Sequence, residues 1–154
     1  MKKQVFKEFL IAALVLLFIY ASFSKYADFP YFQQSMHRQP FPSWMSDLLI
    51  WLIPPFEIII AGLLAFWKTR LYGLIAFISL MGIFTLYITA ILMNIFPIVP
   101  CSCGGIIQSF GWLQHLFFNL VFILIAGIAL TINSKELKKD KVKTEINLKN
   151  AYQA

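Results

Sequence analysis

Four long apolar runs, separated by short polar segments, dominate the pattern of hydrophobic and polar positions along this chain. They cover residues 9–23, 48–67, 71–93 and 112–132. A helix that crosses a bilayer needs about 20 mostly apolar residues, and these runs are apolar all round rather than on one face, as membrane helices are. The pattern predicts an all-α fold, an integral membrane four-helix bundle over residues 1–133. The second and third runs are so close in sequence that their helices should form an antiparallel hairpin.

The first run has two interpretations. Lysines precede it, as in a secretory signal peptide. A signal peptide, however, ends in a small-x-small cleavage pattern. The residues before Lys25 lack a convincing pattern of this kind, because Tyr20 and Phe23 are poorly suited to it. The sequence therefore favours a first helix that is retained.

The composition excludes an ordinary water-soluble domain. Hydrophobic residues make up 60% of the 154 residues and charged residues only 13%, and the mean hydropathy is +0.75. In soluble domains charged residues are about a quarter of the chain. We expect no separate soluble domain within these residues, so any chemistry should lie in the bundle or in its short loops.

The net charge of +6 also suits nucleic-acid binding, but the positions of the basic residues indicate membrane topology instead. Lysine and arginine are retained on the cytoplasmic side, and in a four-span arrangement only Lys25 and Arg38 lie on the other side. The sequence thus predicts cytoplasmic N- and C-termini, outward-facing segments 24–47 and 94–111, and no nucleic-acid partner. The basic residues on the cytoplasmic side would be Lys2, Lys3, Lys7, Lys68, Arg70, Lys135, Lys138, Lys139, Lys141, Lys143 and Lys149.

Three further expectations concern the helix surfaces and the C-terminus. Residues 134–154 are rich in lysine and predict a flexible cytoplasmic tail, solvated or lying on anionic lipid. Small residues allow helices to approach closely, and the candidates are Gly62, Gly73, Gly82 and Gly127. Aromatic residues collect at the membrane surfaces, which predicts an outer belt of Trp44, Trp51 and Trp112 and an inner belt of Trp67 with Tyr72.

The second outward segment carries the most specific motif, Pro-Ile-Val-Pro-Cys-Ser-Cys-Gly-Gly at residues 97–105. Its prolines and glycines disfavour a continuous helix and predict a loop or a shallow re-entrant turn. A disulfide between Cys101 and Cys103 would close a very small ring, so it would stabilise the fold little. Strained, accessible disulfides are the labile and catalytic kind.

Three chemistries are open to these cysteines. Thiol-disulfide exchange in an oxidising compartment is favoured. The second is a pair of buried, unpaired thiols. The third is a soft-metal site in which Met93 or His115 helps the two thiolates to hold Cu(I). Two thiolates alone do not make a closed zinc site, and we predict no resident metal.

Glu57 lies near the predicted middle of the second span, where a carboxylate is costly. It should therefore be protonated, paired or exposed to a water-filled cavity. One interpretation makes Glu57 a proton carrier or the polar wall of a ligand cavity. The other makes it a neutral side chain bonded across helices, and the sequence does not separate the two.

His115 and Asn119 are four residues apart, so they share one helix face at the outer end of the fourth span. His115 is placed to accept a proton from a thiol or to pair with a thiolate. The alternative is an interhelical hydrogen bond with Asn119 as glue. Lys25, at the outer end of the first span, would stabilise a thiolate or extend to the interface.

These residues together resemble a known family. The first run ends Tyr-Ala-Ser-Phe-Ser-Lys at 20–25, and the second contains Pro-Pro-Phe-Glu at 54–57. The Cys-Ser-Cys-Gly-Gly of 101–105 is followed by His115 and Asn119. The combination resembles the methylamine-utilisation protein MauE group, within the DoxX-like four-helix membrane proteins. The resemblance covers essentially the whole bundle, and the Cys-x-Cys element is its specific part.

The resemblance implies a multi-pass protein of the bacterial inner membrane with its Cys-x-Cys loop on the periplasmic side. It also implies a role in maturing a disulfide-rich periplasmic partner, often beside a thioredoxin-like protein. Cys101 and Cys103 occupy the positions of the family's cysteine motif. The family's polar positions are carried by Glu57, Lys25, His115 and Asn119.

The leading hypothesis is a membrane thiol-disulfide protein, a candidate oxidoreductase, in which Cys101 and Cys103 exchange electrons with a periplasmic thioredoxin-like or disulfide-containing partner. His115 and Lys25 would tune thiolate formation, and Glu57 would line a membrane cavity. The electron carrier is left open, with a membrane quinone as one candidate. The alternatives are a non-enzymatic assembly or maturation partner and a soft-metal transporter or metallochaperone.

Overall fold

The computed structural model describes residues 2–95 and 111–152, and these residues form helices without any strand. Four of the helices are long and apolar enough to cross a membrane, which confirms the predicted all-α, four-span architecture. The orientation of the termini stays a prediction. The five helices are α1 (Lys2–Ala27), α2 (Phe29–His37), α3 (Ser43–Ala65), α4 (Arg70–Leu92) and α5 (Trp112–Tyr152).

The four long helices close into a bundle in which α1 and α4 each pack against both α3 and α5. At its centre the rings of Phe18 in α1 and Phe77 in α4 stack with their centroids 4.3 Å apart. The first helix is thus part of the core of the bundle, and its retention stays a prediction. The buried core residues that α1 supplies are Leu10, Ile11, Leu14 and Phe18.

A short helix, α2, was missed by the hydropathy pattern, which placed it within an outward-facing segment. Asp28 caps its N-terminus by accepting a hydrogen bond from the backbone N–H of Tyr31, and Pro30 lies in its first turn. Both features favour a helix start. Phe32 and Met36 lie four residues apart and are buried with Ile50 of α3. The segment between the first two spans therefore packs onto the bundle.

Ion pairs join three helices at the end of the bundle that carries the start of α1, the α3–α4 turn and residue Glu136 of α5. We call it the lysine-rich end. The guanidinium of Arg70 donates to both carboxylate oxygens of Glu8, at 2.7 and 3.0 Å, and its Nε donates to the carbonyl of Leu64 at 3.3 Å. Lys7 donates to Glu136. The buried basic groups of this end are therefore paired in the structure.

Helix α5 continues without a break far beyond its apolar part. It contains 41 residues, which at 1.5 Å per residue is about 60 Å, whereas the hydrocarbon core is about 30 Å thick. The lysine-rich residues from 134 onward are thus helical as far as Tyr152. The flexibility and the cytoplasmic location of this tail stay predictions.

Gly73 of α4, one of the four glycines expected to allow close helix contact, does lie against a neighbouring helix. A Cβ atom there would lie 2.7 Å from the backbone nitrogen of Leu64 and 2.9 Å from the carbonyl carbon of Leu63. The other three predictions are wrong for the described part of the chain, where a Cβ atom at these glycines would meet nothing within 4 Å. They are Gly62, Gly82 and Gly127.

We expect Gly73→Ala to destabilise the bundle by about 1–3 kcal/mol, as overpacking against backbone does. Gly82→Ala is the matched control, because Gly82 lies on the same helix in open space and alanine favours a helix over glycine by up to about 1 kcal/mol. The control should be neutral or slightly stabilising. Reversible unfolding in mixed micelles measures both variants, and equal stabilities would contradict the close approach.

Candidate functional site

A cavity of about 350 Å³ lies among the helices at the end of the bundle opposite the lysine-rich end. We call it the central cavity. Side chains from all five helices and from the α2–α3 connection line it, and most of them are apolar or aromatic. Its polar lining residues are Lys25, Gln39, Glu57, Tyr87, His115 and Asn119. Four of these six are residues that the sequence analysis selected separately.

Lys25 of α1 and Glu57 of α3 form an ion pair at this cavity. The Lys25 Nζ donates to the two carboxylate oxygens of Glu57 at 2.8 and 3.0 Å, and to the carbonyl of Ala21 at 3.1 Å. An ammonium has three N–H donors, so all three have acceptors. One helical turn earlier, the Ser22 hydroxyl donates to the carbonyl of Pro54 at 3.0 Å. The two contacts fix α1 against α3.

Burial makes this pair energetically demanding. The side chains of Lys25 and Glu57 are only 10% and 8% exposed. Desolvation of two buried charges costs several kcal/mol per ion and is offset only when their geometry is good. Lys25 is therefore not extended to the interface, one of the two roles considered from the sequence, and its charge is paired with Glu57. Of the states considered for Glu57, the structure has the carboxylate both paired and lining a cavity.

His115 and Asn119 lie one turn apart on the buried face of α5, and both line the central cavity. The imidazole of His115 is nearly parallel to the ring of Phe118, with centroids 6.3 Å apart. Asn119 is only 3% exposed, and its Nδ2 has no hydrogen-bond partner among residues 2–95 and 111–152. In this part of the chain, the amide nitrogen thus does not form the predicted interhelical bond.

Sequence reasoning missed several residues of the cavity. The hydroxyl of Tyr87 in α4 donates to the side-chain oxygen of Gln39, and the Gln39 amide donates to the carbonyl of Ser35 at 3.1 Å. The signal that would have found Gln39 is the helix start at Asp28, because α2 delivers this residue to the bundle. Trp112 also lines the cavity, and its place in the outer aromatic belt stays a prediction.

Cys101 and Cys103 lie outside the described residues. The chain on either side of them is described, and it belongs to the cavity end of the bundle. Helix α4 ends at Leu92, shortly after Tyr87, and α5 begins at Trp112. The rings of Tyr87 and Trp112 pack edge to face, with centroids 6.5 Å apart. The helices that precede and follow the cysteine segment in the sequence, α4 and α5, therefore both contribute to the central cavity.

The alternative of a soft-metal site gains no support from the described residues. Among them, no three His, Asp or Glu side chains are grouped so as to hold a metal ion. Of the two additional ligands considered, Met93 is exposed at the end of α4, whereas His115 is buried in the bundle. These two side chains thus occupy different surroundings.

Comparison with known proteins gives one family. The family model described as "Methylamine utilisation protein MauE" matches residues 3–132. This range contains all four long apolar runs, the Cys-x-Cys segment and every polar residue that lines the central cavity. Neither a search of curated proteins nor a search of solved structures gave a match.

Proposed function

Because this chain belongs to the MauE family of membrane proteins, we propose that it is a membrane thiol-disulfide protein that supports the maturation of another protein. In this proposal the pair of Cys101 and Cys103 faces the periplasm and exchanges electrons with a thioredoxin-like or disulfide-containing partner. Membership of the family is consistent with a role in methylamine utilisation. The partner would be a protein whose disulfides must be formed or rearranged.

The observation that carries the proposal is the convergence of four polar residues at one place. Lys25, Glu57, His115 and Asn119 come from three different helices, and all four line the central cavity. Helices α4 and α5, which flank the cysteine segment in the sequence, also line this cavity. Buried polar groups in a membrane are costly and mark functional sites, and perturbed groups near a thiol govern its reactivity.

The proposed exchange proceeds through a mixed disulfide. The thiolate of one cysteine attacks a disulfide sulfur of the partner, so that one S–S bond forms, one breaks and the partner's second sulfur leaves as a thiolate. The other cysteine then attacks the mixed disulfide, releasing the partner with both thiols reduced and leaving a bond between Cys101 and Cys103. The reverse sequence oxidises the partner.

The ion pair between Lys25 and Glu57 determines which cavity residue can assist the cysteines directly. All three donors of Lys25 are used by Glu57 and Ala21, so Lys25 has no spare hydrogen bond for a thiolate. His115 is the remaining auxiliary residue with a titratable group, and it accepts the thiol proton in this scheme. Glu57 then acts through Lys25 as a positioning residue rather than as a direct participant.

Trapping the mixed disulfide tests the proposal. Cys103→Ser leaves Cys101 able to attack a partner but removes the thiol that would release it, so a covalent adduct should accumulate. The adduct should disappear on reduction and should be absent from the Cys101→Ser/Cys103→Ser variant. If no adduct forms and disulfide formation in the cell is unchanged, the thiol-exchange function is wrong.

A further inference from the structure

The central cavity has a lining that selects for a neutral and lipophilic ligand. Its charged residues, Lys25 and Glu57, are paired with each other, so their charges cancel. Most of the remaining lining is apolar or aromatic, which favours a flat, lipophilic group. Ligand sites are typically apolar cavities of about 300–1,000 Å³ with a few placed polar groups, and this cavity falls within that range.

One polar group in the cavity requires an acceptor. Asn119 is only 3% exposed, and its amide nitrogen has no hydrogen-bond acceptor among the described residues. A buried N–H group without a partner costs free energy comparable to a lost hydrogen bond. A ligand with a carbonyl oxygen would remove this cost by accepting from Asn119 Nδ2.

The cavity also reaches the surface that faces lipid. Ile83 of α4 lines the cavity and is 64% exposed. It lies between Leu80 and Tyr87, which line the same cavity, and within the span Arg70–Leu92. A ligand dissolved in the bilayer can therefore enter from the side, at the level of the membrane.

We propose that the central cavity binds the carbonyl-bearing ring of a membrane quinone, with a ring oxygen accepting a hydrogen bond from Asn119. A quinone ring is neutral, flat and lipophilic, and its carbonyl oxygens are acceptors for the Asn119 amide nitrogen, which has none among the described residues. The role of the bound ring as the oxidant of Cys101 and Cys103 rests on the thiol-exchange function proposed above. The binding itself does not.

The electron transfer balances with the quinone as the only additional reactant. Two S–H bonds break and one S–S bond forms between Cys101 and Cys103, releasing two electrons and two protons. The quinone takes up both electrons and both protons and becomes the quinol. His115 and Asn119 both line the cavity, and they provide groups that exchange and orient protons at the ring oxygens.

Binding is tested with decylubiquinone and the full-length protein in lipid nanodiscs. Trp112 lines the cavity, so its fluorescence reports on the site once the other tryptophans are replaced by phenylalanine; these are Trp44, Trp51 and Trp67. We expect saturable quenching. Asn119→Leu should weaken the apparent affinity about three- to tenfold, which is the loss of one hydrogen bond.

Two further variants separate the site from the fold. Asn133→Leu is the matched control, because Asn133 is a buried asparagine of the same helix, 7% exposed and outside the cavity lining. It should leave the affinity within about twofold. Ile83→Phe adds bulk at the lipid-facing opening without adding a second tryptophan to the reporter, and it should slow or weaken binding while leaving stability unchanged.

Several outcomes would overturn the proposal. They are the absence of saturable quenching, an equal loss in Asn119→Leu and Asn133→Leu, and equal displacement by decanol, which would mark an acyl-chain pocket. If the reduced protein binds decylubiquinone without forming quinol, the oxidant role is wrong. The two proposals can fail separately. If the protein binds quinone but Cys103→Ser traps no partner, the thiol-exchange function is wrong and quinone binding stands.

Discussion

Replacing Glu57 with leucine is expected to destabilise the bundle by about 3–5 kcal/mol, which is the cost of breaking a buried ion pair on one side. The side chain of Lys25 is 10% exposed, so its charge would be left without a counter-ion in an apolar surrounding. In the double variant Lys25→Met/Glu57→Leu both charges are gone. Its stability should lie within about 1 kcal/mol of the parent protein or above it.

The measurement is equilibrium unfolding in mixed micelles, followed by tryptophan fluorescence. Asp47→Leu is the matched control, because Asp47 is also an acid of α3 but pairs with His37 on the surface, with its side chain 61% exposed. Exposed pairs contribute about 0–1 kcal/mol. If the Glu57 single variant and the double variant lost equal stability, the pair would not be the source of the cost.

The ion pair between Lys25 and Glu57 was not predicted from the sequence, although the helices that carry the two residues were. Hydropathy located the spans because each depends on a continuous run of apolar residues. Lys25 was an exception to the predicted charge distribution, and Glu57 was a costly carboxylate within a span. The two residues were interpreted separately, although an acid within a span and a basic residue at the end of another span are able to form an interhelical ion pair. Joining them needs knowledge of which helix faces which, and the two residues are 32 positions apart.

The other contacts that the sequence did not predict depend on which face of each helix points toward its neighbours. The runs are apolar all round, so their pattern does not indicate which side of a helix faces its neighbours. Of the four glycines expected at helix contacts, only Gly73 meets the backbone of α3. For the same reason, the contribution of Trp112 to the cavity was not predicted. Those positions depend on packing between helices, which a single sequence with uniform runs does not encode locally.

Removing both thiols is expected to abolish function while leaving the fold intact. In Cys101→Ser/Cys103→Ser, the formation of disulfides in proteins outside the membrane should fall to the level of cells that lack this protein. The stability of the bundle should change by less than about 1 kcal/mol, because a ring closed by two residues so near in sequence restrains little chain. Thiol alkylation of extracytoplasmic proteins measures the first quantity, and mixed-micelle unfolding measures the second.

This combination separates thiol exchange from a role in assembly. A protein that merely holds a membrane partner depends on its fold and its surfaces, so it would tolerate the serine pair but lose function in Gly73→Ala, where helix packing is disturbed. Thiol exchange gives the opposite ranking: the serine pair is inactive and stable, whereas Gly73→Ala is active in proportion to the folded protein that remains. Full disulfide formation with the serine pair would therefore decide for the assembly role, since no other cysteines exist in the chain to replace the two that were removed.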